Sequence, residues 1–454
     1  MGEPSSSEQK IWHPFTQMAR FDADPQVVVA SGEGNHLIGT DGKRYVDAVS
    51  SMWAIVHGHS HPHIVEAIQR QAATLQHSTL LGATHSVAEE LANRLSKHLP
   101  PELSRFFFSG DGASAVEVAL KMAIQYWANK GQPEKQLIVS LDMAYHGDTA
   151  GAVSVGGVGR FRDSYGPLLF EPLRIPNPYA YRCDLCASEC TLACLDPIEE
   201  LLKTRGHEIA AVIVEPRVQA AAGMIVAPEG HLARVAQSCA RHGVLLIADE
   251  IATGFGKTGA MFACDLEWVT PDIMTIGKGM TGGYLPMSAT IAKDEIYQAF
   301  YDQTYGSAST LYHGHTFAGN PICAAAAIAN LDVFEESPVL ERVLERSSFL
   351  RTLLQENFGG HPLVGDIRQQ GLMAGIELVR DASNKTPFDS SEGIGARVSL
   401  AARDRGVLLR PLGDVLVVMP PLSIEEDQLI QIVDSIGYGL DKVAKELGGP
   451  KSGH

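Results

Sequence analysis

The stretch from residue 244 to residue 283 constrains the fold more than any other part of the chain. It opens with an apolar run, residues 244–248, that is too short for a buried helix and ends in two acids, Asp249 and Glu250. A second strand-like run, residues 272–276, ends directly at Gly277-Lys278-Gly279. Short apolar runs that end in polar residues are typical of parallel strands whose carboxyl ends open into a site. The sequence therefore predicts an open α/β sheet with its ligand site where Asp249 and Lys278 meet.

Lys278 and Asp249 have complementary chemistry. Lys278 lies between two glycines that leave its amine accessible, so it could form a Schiff base with a carbonyl compound. A carboxylate at the neighbouring strand end could keep a pyridinium nitrogen protonated, which makes such a ring accept electrons. A single lysine after a strand is more often an ordinary surface residue. Two strand ends that carry a lysine and a carboxylate favour a cofactor site.

Strands and helices alternate regularly from Arg105 onward, which indicates a parallel sheet with crossover helices. Residues 105–108 are predicted to form a strand, residues 109–114 a glycine-rich turn, and the residues from Ala115 a helix. The start of a helix binds anions because its unpaired N–H groups and its dipole point at them. Turns of this kind are common, but with Lys278 downstream this one is interpreted as a phosphate site. Tyr145, at the end of the next strand, could stack on a flat ring.

Composition narrows the class of protein. The 454 residues are 45% hydrophobic and 20% charged, as in ordinary globular proteins, and carry a formal net charge of −17. This charge disfavours nucleic acid and anionic membranes as partners. No apolar run approaches the ~20 residues of a membrane helix, and the polar first ten residues do not resemble a secretory signal. Seven cysteines do not make a disulfide scaffold, so we expect a cytoplasmic protein.

Two motifs, LLIADEIATGFGKTG at residues 245–259 and TIGKGMTGG at residues 275–283, resemble those of the class III, fold type I pyridoxal-phosphate aminotransferases. The resemblance extends over nearly the whole chain. It implies an α/β fold with a large domain, built on a mostly parallel seven-stranded sheet, and a smaller α+β C-terminal domain. The implied division is an N-terminal segment, residues 1–70, that joins the small domain and the active site, a large cofactor-binding domain, residues 71–335, and the small domain, residues 336–454.

The opening motif IWHPFTQM, residues 11–18, resembles more narrowly the branch of this class that acts in biotin synthesis. The resemblance implies pyridoxal 5′-phosphate as cofactor and 8-amino-7-oxononanoate as the amino acceptor. The implied amino donor is S-adenosylmethionine or L-lysine. The implied assembly is a homodimer with shared active sites.

The resemblance also implies the site residues. The catalytic residues would be Lys278, Asp249 and Tyr145. The cofactor would be held by Gly112 and Ala113 through their backbone amides, and by Tyr145, Glu215, Asp249, Lys278, His315 and Thr316, with Gln219 near the ring and Thr316 serving the other subunit. The substrates would be bound by Phe15, Met52, Trp53, Asp148, Gly314 and Arg410, where Arg410 suits bidentate capture of a carboxylate. No metal is expected.

Three positions depart from the branch that uses S-adenosylmethionine, which has Tyr, Trp and Arg in place of Phe15, Met52 and Lys257. Loss of the Tyr hydroxyl and of one indole removes contacts to the substrates. Met52 and the run at residues 77–82 are more similar to the branch that uses L-lysine. The sequence therefore predicts that L-lysine serves as donor at least as efficiently as S-adenosylmethionine.

Cys183, Cys186, Cys190 and Cys194 form a C-x2-C-x3-C-x3-C pattern outside the regular alternation. Four thiolates suit zinc or an iron–sulfur cluster. On a helix, however, Cys183 and Cys194 would lie about 16 Å apart along the axis, too far for one shared metal. Only a non-helical backbone could gather them, so we expect reduced structural thiols.

Three alternative functions stay open at this point. The chain could be another class III aminotransferase that acts on ω-amino acids or polyamines, which the opening motif disfavours. It could be a pyridoxal-phosphate enzyme that transfers no amino group, such as an aminomutase or a decarboxylase. It could also be a binding protein that has kept the fold, although the intact lysine, acid and phosphate turn argue against this.

Overall fold

A computed structural model describes residues 10–24, 26–186 and 190–448. The strands are β1 (Val29–Glu33), β2 (His36–Gly39), β3 (Arg44–Asp47), β4 (Leu103–Ser109), β5 (Leu137–Leu141), β6 (Leu173–Ile175), β7 (Ile209–Val214), β8 (Val218–Gln219), β9 (Ile225–Val226), β10 (Leu245–Asp249), β11 (Ile273–Ile276), β12 (Ser288–Lys293), β13 (Val364–Gln370), β14 (Met373–Leu378), β15 (Val407–Leu408) and β16 (Val415–Val418). The helices are α1 (Met18–Ala23), α2 (Ser50–Trp53), α3 (Pro62–Thr74), α4 (Ser86–Leu95), α5 (Gly112–Asn129), α6 (Ala150–Val155), α7 (Gly159–Arg162), α8 (Asp196–Arg205), α9 (His231–His242), α10 (Asp294–Phe300), α11 (Pro321–Glu336), α12 (Val339–Phe358), α13 (Ile394–Asp404) and α14 (Glu426–Glu446).

The centre of the molecule is a seven-stranded sheet in the order β4-β12-β11-β10-β7-β5-β6. β12 runs antiparallel to both of its neighbours, and the remaining pairs are parallel. Every residue of β7, β10 and β11 is buried, as expected for central strands that helices cover on both faces. The predicted α/β fold with a mostly parallel seven-stranded sheet is confirmed.

The C-terminal part contains a hairpin of β13 and β14. The sequence predicts a strand over residues 370–379, which matches β14, whereas β13 was not predicted. Gly371 allows the turn because its φ of 59° lies in the left-handed region, where glycine has no Cβ to clash. β14 also pairs with β16, so the hairpin belongs to a three-stranded antiparallel sheet.

The N-terminal segment packs on the C-terminal part of the chain. β1, β2 and β3 form an antiparallel ribbon, and β15 joins it by pairing parallel to β3. Val46 and Val56 lie in one hydrophobic core with α12, α13 and α14. The predicted division at residues 70 and 335 stays a prediction, although this shared core shows where the ends of the chain meet.

Helix ends follow from local sequence. The Asp111 side chain accepts a hydrogen bond from Ser114 N at 2.9 Å and so caps α5. Asn320 caps α11 in the same way, with Pro321 at its first position. Among the described residues, no helix is long and apolar enough to span a membrane.

Candidate active site

A cavity of about 440 Å³ opens at the carboxyl ends of the central strands. Its walls include the ends of β5, β7 and β10, the start of α5 and the turn after β11. The predicted site residues that line it are Trp53, Gly112, Ala113, Tyr145, Asp148, Glu215, Asp249 and Lys278. Residues that the sequence places far apart therefore meet at the sheet edge where parallel strands hold their ligands.

Lys278 sits in strained backbone at one side of this cavity. Its φ is 42°, in the left-handed region that a residue with a side chain rarely adopts, and such strain is often found at functional positions. Burial lowers the pKa of the Lys278 amine, against the opposing effect of the nearby acids Asp249, Glu215 and Asp148. A lowered pKa raises the fraction of neutral amine, which is the nucleophilic form. The Lys278 Nζ atom also lies 5.4 Å from the centre of the Trp53 ring.

Asp249 is held by three hydrogen bonds at the end of β10. One carboxylate oxygen accepts from Ile251 N and from Thr275 Oγ1, each at 3.1 Å. The other lies 2.7 Å from His146 Nδ1. The Asp249 side chain is therefore fixed in orientation, while His146 Nε2 is buried without a hydrogen-bond partner among the described residues.

Glu215 links two walls of the cavity. Its Oε1 accepts a hydrogen bond from Tyr145 N and its Oε2 one from Ala220 N, both at 3.0 Å. Burial raises the pKa of Glu215 to about 7, although these two hydrogen bonds and His146 act in the opposite direction. Because of this raised pKa, the Glu215 carboxyl can hold or release a proton near neutral pH.

Gly112 and Ala113 start α5 and line the cavity. The first N–H groups of a helix have no partner within the helix, so these two face the cavity as donors for an anion. A Cβ built on Gly112 would come within 2.8 Å of Ile251, so glycine at this position allows the helix start to pack closely against Ile251.

Tyr145 contributes an aromatic ring whose hydroxyl donates to Asp148 Oδ2 at 2.7 Å. Burial is the main reason why the pKa of Tyr145 is raised, so its hydroxyl stays protonated. An anion-binding helix start, an amine, a buried acid and flat aromatic rings together fit pyridoxal phosphate. The residues present are thus suited to hold this cofactor.

The substrate side is formed by the N-terminal segment and the C-terminal part. Arg410 follows β15, lies 5.7 Å from the centre of the Phe15 ring and contacts Met52 Sδ. Phe15 is 53% exposed and packs edge-on against Phe161, with ring centres 5.6 Å apart. Among the described residues no carboxylate pairs with Arg410, and burial lowers the pKa of its guanidinium. Phe15, Met52 and Arg410 do not line the cavity described above. An unpaired guanidinium is nevertheless suited to bind a carboxylate ligand.

The loop that carries Met52 and Trp53 has unusual backbone. Ser50, Ser51 and Trp53 have φ angles of 48°, 57° and 67°. Asp47 holds the loop from one side by accepting hydrogen bonds from Ser51 N and Ser51 Oγ, both at 2.9 Å. The surrounding structure therefore maintains a conformation that the loop would not adopt alone.

Some predicted site residues lie elsewhere. Gly314, His315 and Thr316 are exposed and do not line this cavity. Gln219 does not line the cavity, and its Nε2 donates to Asp142 O at 3.0 Å. The expected roles of these residues stay predictions, and for Thr316 the expected role lies in the site of a second subunit.

Two residues have structural roles that the sequence did not predict. His146 supports Asp249 and directly follows Tyr145 at a strand end. Lys257 stands where the S-adenosylmethionine branch has Arg, and its buried Nζ donates to Ser50 Oγ at 2.8 Å, Ile55 O at 2.9 Å and Pro420 O at 3.2 Å. Lys257 thus fastens the loop of Met52 and Trp53 to the C-terminal part rather than facing the cavity.

Comparison with known proteins gives a consistent result. The family model of class-III aminotransferases matches residues 18–439. The adenosylmethionine-8-amino-7-oxononanoate aminotransferase of Nitratidesulfovibrio vulgaris is 50% identical over 94% of this chain and 79% of its own length. The protein of the same name from Geobacter sulfurreducens is 47% identical over 95% of this chain and 96% of its own length.

Solved structures show the same fold. The crystal structure of adenosylmethionine-8-amino-7-oxononanoate aminotransferase from Methanocaldococcus jannaschii superposes with a TM-score of 0.91 at 40% identity, covering 95% of this chain and 97% of its own. A pyridoxal-phosphate-bound amine transaminase from an uncultivated Pseudomonas species gives a TM-score of 0.91 at 35% identity, covering 96% and 99%.

Proposed function

The chain belongs to the class III aminotransferases, and from that premise we propose that it transfers an amino group to 8-amino-7-oxononanoate in biotin synthesis. Two kinds of support carry the proposal. Relatives at 45–50% identity that match nearly the whole chain bear the name of this activity. The unpaired Arg410 guanidinium, beside Phe15 and Met52, suits an acceptor with a carboxylate at its far end.

Class III aminotransferases use pyridoxal phosphate, which supplies a carbonyl group and a ring that accepts the electrons released when a proton leaves the substrate carbon. The residues of this chain would divide the remaining work. Gly112 and Ala113 would hold the phosphate through their N–H groups, and Asp249 would hold a proton on the ring nitrogen. Lys278 would hold the carbonyl end of the cofactor and, once its amine is free, would move a proton at the substrate carbon that bears the amino group.

The orientation of the substrate depends on the other walls. Arg410 binds the acceptor carboxylate, so that the keto group at the opposite end is directed toward Lys278. Trp53 and Tyr145 flank the cavity with apolar rings and exclude water from the reacting carbon. The hydrogen bond from Tyr145 to Asp148 fixes the ring that lies beside the substrate.

The amino donor that we propose is S-adenosylmethionine, since the similar proteins bear that donor in their names. L-lysine is the second candidate, because Phe15 has no hydroxyl and Met52 has no indole to place on a sulfonium ligand. Purified enzyme loaded with cofactor is mixed with one donor at a time, and the loss of the visible cofactor band is followed in a single turnover. We expect pyridoxamine phosphate with S-adenosylmethionine. No amino transfer to 8-amino-7-oxononanoate with either donor would contradict the proposed function.

A panel of amino acceptors separates the proposal from its rivals in the same class. We expect 8-amino-7-oxononanoate to be used far more efficiently than simple ω-oxo acids or aldehydes. Equal rates with these acceptors would favour a general amine or ω-amino acid aminotransferase. If the donor were consumed without formation of pyridoxamine phosphate, an enzyme that does not transfer amino groups would be the better description.

We also propose a homodimer in which each subunit supplies Thr316 to the site of the other. The exposed loop with Gly314, His315 and Thr316 supports this arrangement, because these residues do not line the cavity of their own chain. Mixed dimers of a Lys278→Ala chain and a Thr316→Ala chain provide the test. Shared sites would leave one wild-type site in each mixed dimer and restore activity, whereas separate sites would leave none. A cytoplasmic location stays a prediction from composition.

A further inference from the structure

The segment between β6 and α8, residues 176–195, is not used by the catalytic cavity and carries four of the seven cysteines. Its described part is not an α-helix. Residues 180–182 and 193–195 form single 3-10 turns, and Leu192 has a φ of 60° that reverses the chain between Cys190 and Cys194. The backbone therefore does not space the thiols along an axis, which was the argument against a shared ligand.

Contacts within the segment bring the four cysteines toward one another. Cys186 Sγ lies 3.6 Å from Thr191 Oγ1, and Thr191 directly follows Cys190 and lies three residues before Cys194 in the sequence. Cys194 is buried in the core of the large sheet and Cys183 packs against that core, while Cys190 is exposed. The cluster thus has two anchored members and an outer part that can adjust.

Two positive groups lie near these cysteines. α8 begins at Asp196, two residues after Cys194, so the positive end of its dipole lies beside the buried thiol. The Arg234 side chain donates to Leu192 O at 3.4 Å and to Asp196 Oδ1 at 2.7 Å, which places a guanidinium next to the turn. A helix start and a guanidinium therefore both flank the thiols.

We propose that Cys183, Cys186, Cys190 and Cys194 bind one zinc ion as a closed structural site. Zinc prefers four thiolates in tetrahedral geometry, and the four cysteines within residues 183–194, whose described part is not an α-helix, supply that set. Binding releases the four thiol protons to solvent and leaves a site of net charge −2, which Arg234 and the start of α8 partly balance. In the described part of the chain, no three side chains of the kinds that bind metals are already arranged around one point. Zinc binding would therefore move the thiols of Cys186 and Cys190 toward Cys183 and Cys194.

The zinc ion would stabilise the contact between this segment and the C-terminal part of the chain. Arg182 donates to Glu377 Oε1 on β14 at 2.9 and 2.6 Å, and Tyr179 contacts the same carboxylate. Lys385 Nζ donates to Tyr181 O at 2.6 Å. These contacts precede Cys183 directly in sequence, so fixing Cys183 limits the motion of the segment against β14.

Metal analysis of the purified holoenzyme tests the proposal. The protein is made in zinc-supplemented medium, passed through a chelating resin, and measured by mass spectrometry of metals. We expect about one zinc per chain, and intense d–d absorption of tetrahedral thiolate-bound cobalt after exchange with Co²⁺. Cys186→Ser and Cys190→Ser should lose most of the zinc, because each removes one ligand at an outer position where folding does not require the thiol.

The control is Cys323→Ser, which changes a cysteine on α11 outside the cluster and should keep the zinc. The Cys186→Ser protein should retain its aminotransferase activity at saturating cofactor but unfold at a lower temperature than wild type. Three results would overturn the proposal: full zinc content in both outer variants, less than about a fifth of a zinc per chain in the wild type, or a cluster that contains iron or a disulfide instead.

Discussion

The cofactor side and the substrate side of the cavity are built in different ways. The cofactor side consists of Asp249 and Lys278, which lie at the ends of buried central strands, and the start of α5, which follows the edge strand β4 of the same sheet. The substrate side consists of Phe15, the loop of Met52 and Trp53, and Arg410, which lie nearly 400 residues apart in the sequence. One side is therefore part of the core, and the other is assembled from the two ends of the chain.

The two sides of the site meet different requirements, namely fixed contacts to the cofactor and recognition of the substrates. Buried strand ends hold Asp249 and its neighbours in fixed positions, as an electrostatic contact with a cofactor requires. The substrate side has exposed rings and a strained loop that contacts with Asp47 and Lys257 hold in place. We expect substitutions on the cofactor side to reduce kcat and substitutions on the substrate side to change KM and the choice of donor.

Lys278→Ala should have the largest effect. It removes the nucleophile and the proton carrier together, so turnover should fall by at least about 10⁴-fold while the fold is kept. Steady-state assays and circular dichroism measure the two quantities. Lys130→Ala, on an exposed turn after α5, serves as the control and should retain full activity. Substantial multiple turnover by Lys278→Ala would show that another group carries the chemistry.

Asp249→Asn keeps the shape of the side chain but removes the charge that holds a proton on the ring nitrogen. We expect kcat to fall by about 10²–10³-fold with little change in KM. Asp272→Asn, an acid at the opposite end of the neighbouring strand, is the matched control. Activity of Asp249→Asn within tenfold of wild type would rule out Asp249 as the partner of the ring nitrogen.

Glu215 should make the stability of the cofactor-free enzyme depend on pH. Its pKa is raised by burial from 4.5 to about 7, so its contribution to folding is full below pH 4.5 and is lost as the pH rises through 7. Glu215→Gln should remove this loss, which amounts to roughly 3 kcal/mol. Chemical denaturation at several pH values measures it, with the exposed Glu356→Gln as control. An unchanged pH profile in Glu215→Gln would contradict the assignment.

Arg410→Gln tests the substrate side. Loss of a charged hydrogen bond to the acceptor carboxylate costs about 1.5–3 kcal/mol, so KM for the acceptor should rise roughly 10–100-fold. The rate of the donor half-reaction with L-lysine should change less than the acceptor reaction. Arg397→Gln removes a surface ion pair with Glu446 and provides the control. If only kcat fell, Arg410 would act on the chemical step rather than on binding.

Phe15→Tyr should have the smallest effect. A restored hydroxyl adds at most one hydrogen bond, about 1 kcal/mol or roughly fivefold, in favour of S-adenosylmethionine over L-lysine. The ratio of single-turnover rates with the two donors measures this change, and Phe170→Tyr is the control. If the ratio of the two single-turnover rates were unchanged in Phe15→Tyr, position 15 would not determine the choice of donor.

The same division explains how far the sequence could predict the molecule. The core strands and the lysine and acid at their ends were predictable because each apolar run and its terminal polar residue are adjacent in sequence. β13 was not predicted because most of its residues are polar, so it lacks the apolar run by which the other strands were recognised. The role of Lys257 could not be predicted, since its hydrogen-bond acceptors come from residues 50, 55 and 420, which only the folded chain brings together.

The parallel pairing of β15 with β3 also affects how the protein is synthesised. Until residue 408 has left the ribosome, β3 keeps an unpaired edge, while the strands that hold Asp249 and Lys278 have long been complete. The nascent chain can therefore fold its cofactor half before its substrate half exists. A chain released before β15 would carry the reactive lysine without Arg410, and its free strand edge would make it a target for aggregation and proteolysis.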